Sequence, residues 1–178
     1  RIGGGDKGLI EFRGQAMIAH VLSRLGPQVD EVLISANRSC NEYAQFGHRV
    51  IRDAIEGYAG PLAGLDAGLL AARNDFIVSV PCDTPFLPLD LVARMYQGLA
   101  AAHAEVAIAT TGARTHPVFC LAKRGAHRAL QAYLAAGGRK AEAWYASLAV
   151  AQVDFGAEAR AFANINTLDE LQHWENHE

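Results

Sequence analysis

The sequence has few of the features that mark disulfide-rich, membrane-embedded or nucleic-acid-binding proteins. Its 178 residues include only three cysteines, Cys40, Cys82 and Cys120. An odd number of widely spaced cysteines gives neither a disulfide framework nor the Cys-x-x-Cys spacing of a zinc site, so we expect buried free thiols. Lys and Arg number 16 against 19 Asp and Glu, which gives no excess of positive charge for a nucleic-acid backbone. We therefore expect small-molecule ligands.

Long apolar runs are also missing. No segment approaches the ~20 apolar residues of a membrane-spanning helix, and no basic-then-apolar leader opens the chain. No internal repeat, low-complexity tract or linker divides the sequence. A chain of this length fits one domain that buries about 70% of the surface exposed by the unfolded chain. We expect a single soluble, cytoplasmic domain over residues 1–178.

An apolar strand that ends in a turn with one carboxylate is the centre of the sequence. Residues 76–80 (Phe-Ile-Val-Ser-Val) are typical of a buried strand, and Pro81 and Pro85 lack the N–H donors that would extend it. Asp83 lies between these prolines. Because the carboxyl ends of strands face the ligand site in an open α/β sheet, Asp83 is a candidate ligand for a divalent cation that carries phosphates. The alternative is an ordinary turn aspartate.

A glycine-rich loop opens the chain. Residues 1–8 (Arg-Ile-Gly-Gly-Gly-Asp-Lys-Gly) contain four glycines and three charged residues. Glycine permits the positive φ angles that align backbone N–H groups around an anion, and Arg1 and Lys7 add positive charge, so the loop is a candidate phosphate site. The spacing differs from that of the Walker motif, and a flexible terminus with incidental charges is the alternative.

Apolar residues at helical spacing predict helices that begin near residues 17, 39, 62, 89, 126, 141 and 168. The helix from residue 62 contains small residues, among them Gly64 and Gly68, that allow its backbone to approach a sheet closely. Thr167 and Glu170 have the spacing of a capping box, which predicts the start of the last helix.

Strands alternate with these helices. Apolar β-type runs predict strands over residues 9–12, 32–36, 50–51, 76–80, 105–109, 115–121 and 150–155. The strand at 115–121 is expected to return antiparallel to the strand before it. Right-handed crossovers then predict a three-layer α/β/α sandwich around a mostly parallel sheet. Asn37, Asp53 and Asp83 each follow a strand, so we expect them to line one rim of the sheet.

Seven short motifs occur together in this sequence. In order they are residues 1–8, residues 35–38 (Ser-Ala-Asn-Arg), Asp53, residues 60–64 (Gly-Pro-Leu-Ala-Gly), residues 81–85 (Pro-Cys-Asp-Thr-Pro), residues 116–117 (His-Pro) and residues 164–167 (Asn-Ile-Asn-Thr). Each motif is weak alone, but the set spans nearly the whole chain. On these motifs the sequence resembles the molybdenum cofactor guanylyltransferases. The resemblance implies a Rossmann-like nucleotidyltransferase fold of the glycosyltransferase-A type. It also implies a reaction in which GTP and molybdopterin yield molybdopterin guanine dinucleotide and pyrophosphate.

The resemblance assigns one group of residues to the phosphates. Arg1, Gly3, Gly4 and Lys7 match positions around the phosphates of GTP. Asp83 matches the ligand of Mg²⁺, the implied cofactor. Small-molecule substrates and transient contact with molybdoenzymes or their chaperones are the implied partners, with no nucleic acid and no membrane.

A second group is assigned to the rest of the two substrates. Ser35, Asn37 and Asp53 match positions that hold the nucleotide, although some members carry asparagine where Ser35 stands. A carboxylate at Asp53 can accept from the two donors of guanine, N1–H and N2–H₂. Asn164 and Asn166 match paired asparagines assigned to the molybdopterin side.

One departure from the family pattern concerns the start of the chain. The family has a first strand and a Leu-Ala-Gly-Gly segment upstream of the residue that matches Arg1. We expect the domain to lack both, and we expect the strands on either side of that place to be too far apart to pair at the usual spacing of ~4.8 Å.

The implied chemistry requires no strong general base, because a phosphate dianion on the pterin can attack the α-phosphorus of GTP directly. Positioning and electrostatics then carry the rate. The seven histidines show no Ser-His-Asp or metal-site pattern, and His173 with His177 is interpreted as a solvated helix face. The alternatives are a cytidylyltransferase for the same pterin, a sugar-phosphate nucleotidyltransferase, and a non-catalytic GTP-binding module.

Overall fold

The computed structural model describes residues 6–53 and 60–176. Helices and strands alternate along these residues, as the apolar spacing predicts. The helices are α1 (Met17–Leu25), α2 (Cys40–Ala44), α3 (Pro61–Ala71), α4 (Leu91–Ala101), α5 (His127–Ala135), α6 (Ala141–Tyr145) and α7 (Leu168–Asn176). The strands are β1 (Glu11–Phe12), β2 (Gln15–Ala16), β3 (Leu33–Ser35), β4 (Arg49–Ile51), β5 (Phe76–Ser79), β6 (Val106–Thr111), β7 (Arg114–Lys123) and β8 (Val150–Asp154).

The main sheet has four strands in the order β5-β7-β6-β8. Strand β7 runs antiparallel to both β5 and β6, whereas β6 and β8 pair in parallel. Strands β5, β6 and β8 therefore share one direction, and β7 alone is reversed. The predicted antiparallel return is confirmed. The β6–β7 register shifts between Ile108 and Ala109, whose partners are Cys120 and His116, so residues 117–119 bulge out of the ladder.

Helices cover both faces of this sheet. Strand β6 shows the alternation, because Ala107 and Ala109 pack with α1 and α4 on one face. Its other residues, Val106 and Ile108, pack with α3, α5 and α6 on the opposite face. Successive side chains of a strand point to opposite sides, so a strand buried on both faces requires apolar residues at every position. The predicted three-layer α/β/α sandwich is confirmed.

The two remaining pairs of strands are separate from the main sheet. Strands β3 and β4 pair in parallel, and β1 and β2 form a short hairpin. The turn of the hairpin contains Gly14 at φ +77°, a conformation that favours glycine. Among the described residues no ladder joins β3 to β5. A cavity of about 400 Å³ lies between them, lined by Leu33 and Ser35 on one side and by Phe76 and Val78 on the other.

The last helix begins at the predicted capping box. The backbone N–H of Glu170 donates to Thr167 Oγ1 at 3.1 Å, and the N–H of Thr167 donates back to Glu170 Oε2 at 3.0 Å. This reciprocal pair satisfies two backbone donors at the helix start, which fixes the segment just before it. None of the helices in the described part of the chain combines the length and apolarity needed to cross a bilayer.

A glycine in α4 sets how closely that helix packs on the sheet. A Cβ atom at Gly98 would lie 2.5 Å from Cγ2 of Val153 in β8. Valine is stiff at χ1, so the contact cannot be relieved by a simple rotation. Alanine favours helices by roughly 1 kcal/mol over glycine. We nevertheless expect Gly98→Ala to lower the free energy of unfolding by about 1–3 kcal/mol through overpacking, measured by urea denaturation.

The matched control is Gly68→Ala inside α3. A Cβ atom at Gly68 would lie 3.8 Å from Ile77 Cγ2, an ordinary contact, so we expect this substitution to leave stability unchanged or slightly raised. Equal effects of the two substitutions would show that the approach of α4 to β8 does not limit the packing.

Candidate active site

Asp83 lies in the turn after β5, as its position in the sequence predicts. The residue is only 6% exposed. Lys7 Nζ lies 3.1 Å from Asp83 Oδ2, and Asn164 Nδ2 donates to Asp83 Oδ1 at 3.1 Å. Thr84 Oγ1 donates to the carbonyl of Pro81 at 3.0 Å, which holds the turn closed. Each oxygen of this buried carboxylate therefore has a protein donor, as a buried charge requires.

Asn164 and Asn166, which lie far from Asp83 in the sequence, contact Asp83 and Lys7 in the fold. The N–H of Ile165 donates to the Asp83 carbonyl at 3.0 Å, which anchors the segment that carries them. Lys7 Nζ also donates to Asn166 Oδ1. The structure thus brings Lys7, Asp83, Asn164 and Asn166 into one cluster, here called the Lys7–Asp83 cluster. The motifs predicted each residue separately but not that the asparagines contact the lysine and the carboxylate.

A second group of polar side chains lies where β3 and β4 end. Ser35 Oγ donates to Asp53 Oδ1 at 3.0 Å, and Asn37 Nδ2 donates to Asp53 Oδ2 at 2.9 Å. The N–H of Asp53 donates to Asn37 Oδ1 at 3.0 Å. Parallel pairing of Ser35 with Ile51 places these two strand ends side by side. We call Ser35, Asn37 and Asp53 the rim triad.

The first turn of α3 packs directly against the rim triad. A Cβ atom at Gly64 would lie 3.2 Å from Ser35 Oγ and 3.9 Å from Asp53 Oδ1. One turn further, a Cβ at Gly68 would meet Ile77 Cγ2 at 3.8 Å, which is an ordinary contact. The small residues of this helix were predicted to permit a close approach. The structure adds that Gly64 approaches polar side chains of the site.

Three predicted site residues, Arg1, Gly3 and Gly4, lie outside the described residues. Among the residues that the structure does describe, Lys7 is the member of the glycine-rich loop motif that contacts Asp83. Lys7 begins a short 3₁₀ turn, Lys7–Leu9, in which the N–H of Leu9 donates to the Asp6 carbonyl at 3.0 Å. The lysine is therefore carried by a short ordered turn.

Cys82, the cysteine next to Asp83, has surroundings that keep its thiol protonated. Burial, followed by the charge of Asp83, raises the pKa of Cys82 to about 12. A neutral thiol is a poor nucleophile, so Cys82 is a packing residue. All three cysteines are free as predicted, but only Cys120 is fully buried. The expectation that all three thiols are buried was wrong in part, because Cys40 and Cys82 are only half-buried.

Two histidines, His116 and His127, have partners in the folded core. Burial lowers the pKa of His116, whose ring stacks on Phe162 and whose Nε2 lies 2.9 Å from Thr111 Oγ1. His127 Nε2 lies 2.9 Å from the buried carboxylate of Asp66, a contact between α5 and α3 that the sequence did not suggest. In the described ranges no three His, Cys, Asp or Glu side chains gather as a metal cluster.

Comparison with known structures identifies the class of fold. The chain superimposes on the crystal structure of molybdopterin-guanine dinucleotide biosynthesis protein A from Archaeoglobus fulgidus with a TM-score of 0.81 at 21% identity, over 97% of this chain and 90% of the other. This likeness shows the fold, which is the Rossmann-like α/β fold of nucleotidyltransferases.

Comparison of sequences identifies the family. Residues 1–153 match the model of the MobA-like NTP transferase domain, so the chain belongs to that family. A molybdenum cofactor guanylyltransferase from Cupriavidus taiwanensis is 50% identical over 97% of this chain and 88% of its own length. One from Shewanella putrefaciens is 45% identical over 98% of this chain and 89% of its own length.

We expect Gly64→Ala to disturb the rim triad and with it the affinity for GTP. A methyl group there must displace the Ser35 hydroxyl by a few tenths of an ångström, which disturbs its hydrogen bond to Asp53. Displacement of a positioning group can cost far more than its own contacts, so we expect Gly64→Ala to weaken affinity for GTP roughly ten-fold. Titration with a fluorescent GTP analogue measures this.

Gly68→Ala is the control in the same helix. Both substitutions raise helix propensity equally, but the new methyl group at position 68 has room beside Ile77. We expect this variant to bind GTP like the wild type. Equal affinities for the two variants would remove the rim triad from the nucleotide site.

Proposed function

We propose that this protein transfers GMP from GTP to molybdopterin, forming molybdopterin guanine dinucleotide and pyrophosphate. The observation that carries the proposal is the Lys7–Asp83 cluster. A cation, a buried carboxylate and two amides from three distant parts of the chain converge just beyond β5. Relatives at 45% and 50% identity with the guanylyltransferase name support the same reaction.

The rim triad and the Lys7–Asp83 cluster are proposed to bind different parts of the substrates. The rim triad is proposed to hold the guanosine part of GTP, with the carboxylate of Asp53 accepting from guanine N1–H and N2–H₂. Each carboxylate oxygen has more than one lone pair, so the bonds from Ser35 and Asn37 leave acceptor capacity for a base. The Lys7–Asp83 cluster is proposed to hold the phosphates. Asn164 and Asn166, which touch that cluster, are proposed to hold molybdopterin near the α-phosphorus.

The chemistry follows from position and charge. A phosphate oxygen of molybdopterin attacks the α-phosphorus of GTP in line, a new P–O bond forms, and the bond to pyrophosphate breaks. Lys7 is a compact point charge on a flexible stem, which suits it to stabilise the negative charge that builds on the leaving group. His20, His116 and His127 are engaged by the Phe12 carbonyl, Thr111 and Asp66, and a phosphate dianion needs no general base.

The donor set of the Lys7–Asp83 cluster fits Mg²⁺. This ion commonly takes one or two protein carboxylates and completes its shell with substrate phosphates and water. Asp83 supplies a buried carboxylate, and the amide oxygen of Asn166, which accepts from Lys7, lies in the same cluster. Mg²⁺ bound there would neutralise charge on the triphosphate. Asp83 is therefore the proposed metal ligand.

The remaining assignments rest on the motif match alone. Arg1, Gly3 and Gly4 are proposed to surround the phosphates together with Lys7. We further propose that residues 1–178 act as one nucleotidyltransferase domain in the cytoplasm, where GTP is supplied. Transient contact with molybdoenzymes or their chaperones is the proposed route by which the dinucleotide leaves.

Product analysis tests the reaction directly. The purified protein is incubated with molybdopterin, Mg²⁺ and an equimolar mixture of GTP and CTP, and the products are identified by mass spectrometry. We expect the guanine dinucleotide and pyrophosphate. The cytosine dinucleotide as the main product would make the chain a cytidylyltransferase. Tight binding of GTP without any product would make it a binding module.

The negative charge of Asp83 is the property that the proposed mechanism needs most. Asp83→Asn keeps the size of the side chain and can still accept from Asn164, but it removes the charge that holds a hard dication. Removing one key electrostatic group typically lowers kcat by ~10² to 10³, and we expect at least that loss. Steady-state turnover at saturating Mg²⁺ and GTP measures it.

Asp90→Asn is the matched control, because Asp90 is an exposed carboxylate at the start of α4 and its loss removes the same charge. We expect its turnover to match the wild type. If Asp83→Asn kept its turnover within a few-fold while its Tm was unchanged, the metal site would have to lie elsewhere on the sheet.

A further inference from the structure

A buried tyrosine of α2 contacts the turn that carries Lys7. Tyr43 belongs to α2, the helix that follows Ser35 and Asn37, and it is only 3% exposed. Its ring packs with Ile18 of α1 and Ile34 of β3 in a small core cluster. Its hydroxyl group donates to Asp6 Oδ1. Asp6 immediately precedes Lys7, so this bond ties α2 to the turn that carries the lysine.

Gly8 contacts the same hydroxyl from the other side of Lys7. A Cβ atom at Gly8 would lie 2.5 Å from Tyr43 Oη and 3.2 Å from Cys82 Cβ. The backbone at Gly8 is thus held between the phenol and the turn that contains Asp83. Because Asp6 and Gly8 both meet Tyr43, the position of the intervening Lys7 backbone is fixed from two sides.

The chemistry of the phenol suits a permanent anchor. Burial, and then the hydrogen bond to Asp6, raise the pKa of Tyr43 above its ordinary value. The hydroxyl therefore stays protonated and remains a donor throughout the neutral range. A hydrogen bond from a neutral donor to a carboxylate is charge-assisted and stronger than one between neutral groups.

We infer that Tyr43 is a positioning residue that holds Lys7 against Asp83 through its hydrogen bond to Asp6. The inference rests on the proposed function for its catalytic consequence. Through Tyr43, α2 would then link β3, which ends at the rim triad, to the turn that carries Lys7. A long flexible lysine contributes to transfer only while its backbone keeps Nζ within reach of the phosphates.

Tyr43→Phe tests this link, because it removes the hydroxyl and keeps the buried ring. We expect kcat for GMP transfer to fall roughly ten-fold, since a bond to a charged group is lost and Lys7 is less well placed. Tyr145→Phe is the matched control. Tyr145 is also buried, and its hydroxyl donates at 2.6 Å to the carbonyl of Pro117 away from Lys7. We expect its kcat to be unchanged.

A double-mutant cycle separates positioning from general loss of structure. If Tyr43 acts through Lys7, then Tyr43→Phe has no further effect on kcat once Lys7→Ala is present. A ten-fold loss that persists in the Lys7→Ala background would overturn the inference. Asp6→Ala is the second variant, because it removes the acceptor without touching the core. We expect it to lower kcat as much as Tyr43→Phe.

Hydrogen exchange provides a readout that does not depend on activity. The N–H groups of Leu9 and Ile10 donate to the carbonyls of Asp6 and Lys7 inside the 3₁₀ turn. We expect these amides to exchange several-fold faster in Tyr43→Phe than in Tyr145→Phe. Unchanged exchange would overturn the inference even in an active enzyme. Faster exchange in a protein that makes no dinucleotide would uphold the anchor and refute the proposed reaction.

Discussion

The buried charge of Asp83 is the constraint on which the site depends. Moving a carboxylate out of water costs several kcal/mol unless other groups compensate it. The chain supplies the compensation from far away, because Lys7 lies 76 residues before Asp83 and Asn164 lies 81 residues after it. The backbone N–H of Ile165 adds a bond to the Asp83 carbonyl. One carboxylate therefore requires the first loop, the β5 turn and the segment before α7 to meet.

The ion pair within this cluster is suited to exchange partners. The Lys7 side chain is 41% exposed, whereas that of Asp83 is 9% exposed. Solvent screens the lysine end, so the pair is weak enough for Nζ to turn toward an incoming phosphate. The carboxylate end is enclosed and keeps its orientation through Asn164. A fixed anion beside a mobile cation suits the proposed function, in which the phosphate oxygens of GTP would bind the lysine and a divalent cation would bind the carboxylate.

Much of the fold could be predicted from local patterns, and most of the long-range contacts could not. Apolar spacing predicted α1 and α4, and the proline-flanked run predicted that Asp83 would follow β5. Strands β1 and β2 have two residues each, too few for a periodic pattern to show. One strand was predicted over residues 9–12, and β2 was not predicted. The contacts of Lys7 with Asn166 and of Tyr43 with Asp6 leave no periodic trace, because spacing along the chain carries no information about residues brought together by the tertiary fold.

The rim triad also bears on the choice of base. Ser35 donates its hydroxyl to Asp53, and Asn37 uses its Oδ1 and one N–H of Nδ2 within the triad. The free capacity that remains is largely the acceptor capacity of the Asp53 carboxylate. Guanine presents adjacent donors at N1 and N2, whereas cytosine presents one donor group beside two acceptors. If the rim triad holds the base as proposed, its free acceptors would leave the two acceptors of cytosine without partners, and an unpaired polar group costs more free energy than a weak contact gains. Because the triad is already ordered by its own hydrogen bonds, the proposed site would lose little of this discrimination to fixing side chains on binding of the base.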